Sequence, residues 1–308
     1  MNKEIVTQRS GLIEAVHSIG SWIGNTPLYP LKSFSTEKVK IYAKLEWQQF
    51  GASVKSRPAY HMLRQGILDG QLDSHHTILD ATSGNTGIAL ASIAAHLGIK
   101  IKLVLPENAS KLRQLILKKL GAELILSSPY GGTDESRELA KEIYSKMDLP
   151  YFYCDQYNNE NNWKAHYVTT APEIWDQTKG EITHFIAGLG TTGSFTGTSK
   201  RLKLYNSSIQ CIALQPDGPL HGLEGWKHLE TAEVPGIYDA TVPDKITEVS
   251  SYEAFKMIDQ VAKKEGLLIS PSAAANLVGA VQLAQQINQG HIVTLFADDA
   301  SKYAEIYK

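Results

Sequence analysis

The sequence predicts an α/β protein in which parallel β-sheets are covered by helices on both faces. Short apolar segments alternate along the chain with longer segments whose apolar residues recur at helical spacing. Short apolar strands separated by amphipathic helices are typical of parallel sheets that are buried on both sides. The strands are too numerous for one sheet, so we expect two α/β layers with a cleft between them.

The predicted elements follow one another in a regular order. The strands cover residues 40–46, 76–82, 100–106, 122–128, 151–155, 183–188, 209–216 and 291–298. The helices cover residues 57–70, 88–99, 110–121, 135–146, 162–178, 194–205, 251–265 and 273–287. The longest irregular region is 216–245, and loops of that length in compact proteins are usually functional or mobile.

Composition excludes several classes of protein. The 308 residues carry a formal net charge of -2, so no excess of positive charge is present to bind nucleic acid. The two cysteines, Cys154 and Cys211, each lie in an apolar run. This indicates buried thiols in a reducing compartment, without a disulfide framework or a metal site.

The N-terminal segment lacks the features of a secretory signal, and no apolar run is long enough to span a membrane. We therefore expect a cytoplasmic protein that does not bind membranes.

A glycine-rich loop between a predicted strand and a predicted helix indicates an anion site. Residues 188–194 read GLGTTGS, and the following helix offers free backbone N–H groups at its start. The segment also fits the G-x-G-x-x-G pattern of dinucleotide sites. An acidic residue about twenty positions later would be needed for a ribose, but Asp217 lies further along the chain. A phosphate monoester fits better than a dinucleotide.

A second loop, TSGNTG at 82–87, has the side chains to bind a carboxylate at a helix start. The same residue types also form ordinary helix caps, so the pattern alone leaves both interpretations open.

Lys55 lies among small residues in GASVKSRPA, just before a predicted helix start at Arg57 and Pro58. It is either a solvated lysine or a buried amine that forms a Schiff base with a carbonyl.

Several long segments together resemble one known family. These segments occur in the same order as in the fold type II pyridoxal-phosphate enzymes, and they read NTPLYPL, KLEWQQFGASVKSRPA, DATSGNTGIALA and HFIAGLGTTGSFTG. The chain is most similar to the cysteine synthase (O-acetylserine sulfhydrylase) group, and within it to the B-type isoform, from about residue 20 to about residue 300. The resemblance implies two three-layer α/β domains of the tryptophan synthase β-like type, with the cofactor in the cleft between them.

The resemblance also implies the residues that bind pyridoxal 5'-phosphate. Lys55 would form the Schiff base and Asn85 would bond the ring hydroxyl. Ser272 would meet the pyridine nitrogen, with Ser270 as the alternative if the alignment contains a gap. The phosphate would be held by Gly190, Thr191, Thr192, Gly193 and Ser194.

The implied reaction is a β-replacement on an activated L-serine through an α-aminoacrylate, in which a sulfur nucleophile adds to give L-cysteine. Lys55 would act as the general base. The substrate carboxylate would be bound by Thr82, Ser83, Thr86 and Gln156.

Departures from the family pattern leave the substrates open. Ser56 replaces an aspartate, and Glu224 and Gly225 precede Trp226 where B-type isoforms often carry arginines. Lys227 and His228 are the nearby groups that could substitute for them. The donor is O-acetylserine or O-phosphoserine, and the sulfur source is sulfide, thiosulfate or a protein thiocarboxylate.

Other reactions of the same fold remain as alternatives: serine/threonine dehydration, cystathionine formation or diaminopropionate-type synthesis. A mainly regulatory role is a more distant alternative.

By resemblance we expect a homodimer. Its larger, cofactor-binding domain would comprise residues 1–50 and 159–308, and its smaller, mobile domain residues 51–158.

Overall fold

The computed structural model describes residues 3–82, 84–146 and 149–303, with side chains from residue 10 onward. The chain forms two compact units: Met1–Ile23 with Lys55–Asn162, here called the first unit, and Gly24–Val54 with Trp163–Lys308, here called the second unit. The N-terminal segment therefore groups with residues 55–162 and not with the C-terminal half, where the sequence analysis had placed residues 1–50. The physical reason is that Leu12, Val16 and Ile19 are buried among the apolar residues of the first unit.

Helices and strands alternate through most of the chain, as the sequence predicts. The helices are α1 (Lys3–Gly20), α2 (Ser56–Leu68), α3 (Asn85–Leu97), α4 (Lys111–Lys119), α5 (Gly132–Ser145), α6 (Asn161–Val168), α7 (Thr170–Gln177), α8 (Gly193–Tyr205), α9 (Ser251–Glu265) and α10 (Pro271–Ala284). The strands are β1 (Leu28–Pro30), β2 (Val39–Leu45), β3 (Thr77–Ala81), β4 (Lys100–Pro106), β5 (Glu123–Ser127), β6 (Tyr151–Tyr153), β7 (His184–Gly188), β8 (Gln210–Pro216), β9 (Lys245–Val249) and β10 (Gly290–Phe296).

The second unit is built on a six-stranded sheet in the order β1-β2-β10-β7-β8-β9. All neighbours are parallel except β1, which pairs with β2 in the antiparallel direction. Successive residues of β7 point to opposite faces. Ile186 packs into an apolar cluster with α9 and α10, whereas Phe185 and Ala187 pack into a separate cluster with α7 and α8. Both faces of this sheet are therefore covered by helices.

The first unit contains a four-stranded parallel sheet in the order β5-β4-β3-β6. Ile78 of β3 joins a cluster with apolar residues of α1, α2 and α3, and Leu79 joins a second cluster that includes Ala140 of α5. Each unit is thus a three-layer α/β structure, which confirms the predicted fold class.

One predicted helix is interrupted in the structure. The helix expected over 162–178 is divided into α6 and α7 at Thr169, whose φ of -124° and ψ of -66° are not helical. The Thr169 hydroxyl donates to the carbonyl oxygen of Ala165 at 2.6 Å. Such a bond from a threonine to the preceding turn bends helices, and it explains the break.

Three elements were not predicted: α1, β1 and β9. Strand β9 is mostly exposed and lies at the edge of the six-stranded sheet, so it lacks the apolar run that identified the other strands.

Candidate active site

The glycine-rich loop connects the end of β7 to the start of α8 in the second unit. The apolar residues of β7 hold the strand in the sheet up to Gly188, and α8 begins at Gly193. The first N–H groups of a helix have no partner within the helix, and the helix dipole favours an anion there. The loop is therefore placed as an anion site requires.

Two glycines of this loop are covered by another segment of the second unit, residues 222–227. A methyl group at Gly188 would overlap the ring of Trp226, and one at Gly190 would overlap the carbonyl oxygen of Gly225. The N–H of Lys227 donates to the carbonyl oxygen of Leu189 at 2.7 Å, which fixes the two segments together. Larger residues at 188 and 190 are excluded by this close packing.

Thr192 has the strained backbone that often marks a binding loop. Its φ of +70° is left-handed, which is uncommon for a residue other than glycine. Its hydroxyl is buried and has no hydrogen-bond partner among the residues that the structure describes. Thr191 beside it is also buried, and Ser194 is half-buried. A buried hydroxyl donor at a helix start is suited to a phosphate oxygen.

Ser270 and Ser272 lie at the start of α10, also in the second unit. Both are buried, and their hydroxyl oxygens are 3.1 Å apart. Ser270 caps the helix by accepting a bond from the Ala273 N–H at 3.2 Å. Because Ser270 is used in this way, Ser272 is the freer of the two to meet a ligand.

Lys55 immediately precedes α2 and belongs to the first unit. Its side chain is half-buried, and its carbonyl oxygen accepts the first helical bond from the Ala59 N–H at 3.0 Å. Ser56 follows and is buried. Its hydroxyl has no hydrogen-bond partner within the described residues.

The first unit also brings together three of the predicted substrate-binding residues. The Thr86 hydroxyl donates to Gln156 Oε1 at 2.7 Å, and Gln156 Nε2 donates to the Ala81 carbonyl oxygen at 3.2 Å. Thr82 accepts a bond from the Gly84 N–H at 3.3 Å. The side chains therefore converge around the loop between β3 and α3. Ser83 of this loop lies outside the described residues.

Asn85 is the first residue of α3 and is half-buried. Its position places its side chain at the helix start, beside the loop that contains Thr82 and Gly84. The predicted site residues are thus divided between the units, with Lys55, Asn85 and the Thr82 loop in the first and the glycine-rich loop and Ser272 in the second.

A buried carboxyl group lies just behind the Thr82 loop. Asp80 precedes Ala81, the last residue of β3, and its Oδ1 accepts from the Ala81 N–H at 2.9 Å. Burial raises the pKa of Asp80 to about 8, and the nearby Asp155 carboxylate adds to the shift, while Arg137 opposes it. The group is therefore largely protonated at neutral pH.

Within the described part of the chain, no helix is long and apolar enough to cross a bilayer. The same residues contain no group of three or more His, Cys, Asp or Glu side chains placed to bind a metal ion.

Comparison with known families identifies the family of this chain. The model of the family described as "Pyridoxal-phosphate dependent enzyme" matches residues 19–298. The chain belongs to this family. The predicted family and the predicted dependence on pyridoxal phosphate are therefore confirmed.

Individual members of the family are similar over nearly the whole chain. A cysteine synthase of Aquifex aeolicus is 44% identical over 298 residues, which cover 94% of this chain and 91% of the relative. Cysteine synthase B of Escherichia coli is 35% identical, covering 91% of this chain and 92% of the relative. An O-acetylserine dependent cystathionine beta-synthase of Bacillus subtilis is also 35% identical, covering 94% and 96%.

Solved structures agree with the sequence comparison. The crystal structure of a cysteine synthase from Entamoeba histolytica has a TM-score of 0.88 and 30% identity, and the match covers 94% of this chain and 90% of that one.

The residues of this pyridoxal-phosphate dependent enzyme fit its cofactor. The buried hydroxyl of Thr192 provides an unused donor immediately before α8, where a phosphate is favoured. The glycines at 188 and 190 let the loop pack closely against the 222–227 segment, which fixes the position of the loop.

Several contacts next to the predicted site residues were not foreseen from the sequence. Gly225 and Trp226 contact the glycine-rich loop, and Asp80 lies beneath the Thr82 loop. Asn276 of α10 bonds to the N–H of Gly188. Only Asn276 carried a signal, because a polar side chain within the small apolar run of residues 273–280 indicates a buried group with a specific partner.

Proposed function

We propose that this enzyme replaces the β-substituent of an O-activated L-serine with a sulfur nucleophile and so makes L-cysteine. The observation that carries the proposal is the 44% identity to a cysteine synthase over 94% of the chain. In this reaction the bond from the β-carbon to oxygen breaks, and acetate or phosphate leaves. A carbon–sulfur bond then forms at the same carbon.

The cofactor would be anchored mainly by the second unit. The proposed phosphate ligands are Gly190, Thr191, Thr192, Gly193 and Ser194. Ser272 would meet the pyridine nitrogen, since the Ser270 hydroxyl caps α10. The chemistry that pyridoxal phosphate supplies when bound is an electron sink for the α-carbon of an amino acid.

The first unit would supply the reacting amine. Lys55 would attach the cofactor covalently and, once displaced by the substrate, take the α-proton at Nζ. Asn85 would bond the ring hydroxyl of the cofactor. A half-buried lysine before a helix start is suited to this role because its side chain is partly enclosed by protein and still accessible to the substrate.

The substrate carboxylate would be bound by Thr82, Ser83, Thr86 and Gln156. The Thr86 hydroxyl, which here donates to Gln156 Oε1, would turn to the carboxylate, and Gln156 Nε2 has a second hydrogen to donate besides the one that it gives to Ala81. The start of α3 adds a favourable helix dipole.

O-acetylserine is the donor that we favour over O-phosphoserine. The support for O-acetylserine is that the relative from Bacillus subtilis is named as O-acetylserine dependent. For the nucleophile we test sulfide first, and thiosulfate and a protein thiocarboxylate remain alternatives. Homocysteine is the second candidate, because the relative from Bacillus subtilis is named as a cystathionine synthase.

Three further features belong to this proposal. We expect a larger cofactor-binding domain, predicted as residues 1–50 and 159–308, and a smaller domain, predicted as 51–158, that closes on the substrate. Residues 1–23 would move with the smaller domain, because they group with residues 55–162. We also expect a homodimer, which sedimentation of the purified protein would test. A cytoplasmic location is supported by Cys154 and Cys211, since both thiols are free and form no disulfide.

The deciding experiment is an absorbance spectrum of the purified enzyme, recorded before and after O-acetylserine and then O-phosphoserine. A yellow protein whose band moves to longer wavelength with one donor supports the proposal and identifies that donor. Adding sulfide should restore the first spectrum and yield cysteine, whereas homocysteine would yield cystathionine if the second candidate is right.

Lys55→Ala and the exposed Lys263→Ala form a matched pair for this assay. Lys263→Ala should behave as the parent enzyme, and Lys55→Ala should lose the spectral change and turnover. A yellow parent enzyme that responds to neither donor would overturn the proposed reaction while leaving the family intact.

A further inference from the structure

Asn276 is a buried amide that joins three elements of the second unit. Its Oδ1 accepts from the Gly188 N–H at 2.8 Å, and its Nδ2 donates to the Leu295 carbonyl oxygen at 2.6 Å. Gly188 ends β7, Leu295 lies in β10, and Asn276 itself is in α10. Only 3% of Asn276 is exposed; its bond to Leu295 is buried and its bond to Gly188 is partly buried.

The two ends of the cofactor are proposed to bind at elements that this amide connects. Gly188 begins the glycine-rich loop, whose residues 190–194 would hold the phosphate. Ser272 lies four residues before Asn276 in α10, which places both side chains on the same helix face about 6 Å apart along the axis. Asn276 therefore fixes the loop to the same helix that presents Ser272.

We propose that Asn276 is a positioning residue that sets the glycine-rich loop relative to Ser272, and thereby how tightly pyridoxal phosphate binds. The inference rests on the proposed roles of the 190–194 loop and Ser272. Asn276 would not contact the cofactor or the substrate, but would act through the Gly188 N–H.

An amide is needed at this position because one partner is a donor and the other is an acceptor. An apolar residue of similar size, as in Asn276→Leu, removes the partner of both buried backbone groups. Asn276→Asp is more informative. Its protonated carboxyl can accept from Gly188 and donate to Leu295, whereas its ionised form can only accept and faces the Leu295 oxygen. Ionisation should therefore loosen the loop in this variant alone.

The experiment measures the apparent dissociation constant of pyridoxal 5'-phosphate for full-length apoprotein, by absorbance titration, between about pH 6 and about pH 8.5. The dissociation constant of each variant is divided by that of the parent protein at the same pH, because cofactor binding itself changes with pH. Asn288→Asp, at an exposed position after α10, is the matched control. Melting temperatures of the apoproteins report whether each variant is folded.

We expect Asn276→Leu to raise the dissociation constant by about 10-fold or more at every pH. Asn276→Asp should bind nearly as the parent protein at the low end of the range and approach Asn276→Leu at the high end. Asn288→Asp should stay at a ratio of about 1 throughout. A role in stability alone would lower melting temperatures but leave the pH ratio of folded Asn276→Asp flat.

The outcomes separate this inference from the proposed function. If the parent protein does not bind pyridoxal phosphate, the proposed cofactor site fails. If the parent binds it and Asn276→Asp keeps a ratio of about 1 at all pH values, the role of Asn276 is overturned. Should Asn276→Leu fail to fold, the pH ratio of Asn276→Asp decides by itself.

Discussion

The carbonyl oxygen of Gly225 lies where a side chain on Gly190 would begin. The obstacle is backbone, so it cannot rotate away as the end of a side chain can. The glycine-rich loop and the 222–227 segment, which are distant in sequence, therefore pack together only because Gly190 has no side chain. Any residue larger than glycine at 190 must displace either the glycine-rich loop or the 222–227 segment.

Gly190→Ala should therefore weaken cofactor binding. Overpacking of this kind costs about 1–3 kcal/mol, which corresponds to roughly 5- to 150-fold in the apparent dissociation constant of pyridoxal phosphate. An absorbance titration measures it. Gly218→Ala is the control, since a methyl group there has no atom within 4 Å. Equal affinity in both variants would show that the loop can shift without loss.

Thr86→Val should impair substrate binding without affecting the cofactor. The substitution keeps the shape but removes the hydroxyl that donates to Gln156 Oε1 at 2.7 Å. Losing a hydrogen bond to a charged carboxylate costs about 1.5–3 kcal/mol, so KM for the amino-acid donor should rise by roughly 10-fold or more. Steady-state kinetics and the absorbance spectrum check the two parts separately.

Thr247→Val, on edge strand β9, is the matched control for this variant and should leave KM unchanged. A normal KM in Thr86→Val would mean that the carboxylate does not bind at this loop.

Asp80→Asn should change how stability depends on pH. Burial raises the pKa of Asp80 to about 8 in the folded protein, above its unfolded value near 3.8. The folded state therefore holds a proton that the unfolded state loses, and stability falls as pH rises from about 4 to about 8. The asparagine variant lacks this loss and should be more stable than the parent at pH 7 by a few kcal/mol at most.

Urea unfolding at several pH values would measure the difference between variant and parent. The comparison with the parent protein is needed because His61 makes the free energy of unfolding depend on pH in the opposite direction to Asp80. Burial, together with Arg64 and Arg57, lowers the pKa of His61 to about 4, so its contribution is lost as pH falls from about 6.5 to about 4. That contribution is common to both proteins and cancels. Parallel curves for the two proteins would contradict a raised pKa at Asp80.

Glu173→Ala should destabilise the second unit strongly. Lys44 is fully buried, and its ammonium group lies 2.7 Å from Glu173 Oε2. Removing the carboxylate takes a charged partner from a buried ammonium group, at a cost of about 3–5 kcal/mol, and the neutral Thr26 carbonyl oxygen that also accepts from Lys44 does not replace it. Denaturant unfolding would show it as a lower midpoint.

Glu138→Ala breaks the exposed pair with Lys141 and serves as the comparison. It should change the free energy of unfolding by less than about 0.5 kcal/mol, because exposed ion pairs contribute little. If both variants lost a similar free energy of unfolding, the buried Lys44–Glu173 pair would contribute no more to stability than an exposed pair does.

Local patterns predicted much of this protein. The strand and helix periods, the glycine-rich segment after an apolar strand, and Lys55 before a proline-marked helix start are all properties of neighbouring residues. They were sufficient for the α/β class, which is confirmed, and they led to the prediction of an anion site at the start of α8. The resemblance of long segments added the family and the cofactor. The predictions failed where local chemistry competed with the pattern, as at Thr169, or where a strand lies exposed at a sheet edge, as β9 does.

The sequence by itself determined the alternation of elements, the loops that end apolar strands and the residue types available for binding pyridoxal phosphate. Only the tertiary structure decided which distant residues meet. Asn276 bonds to Gly188 across 88 positions and Thr86 to Gln156 across 70. The physical reason is the non-sequential strand order, which places β10 between β2 and β7 and β3 between β4 and β6. Periodicity determines which face of an element is buried, but the contacts across that face depend on which elements become neighbours.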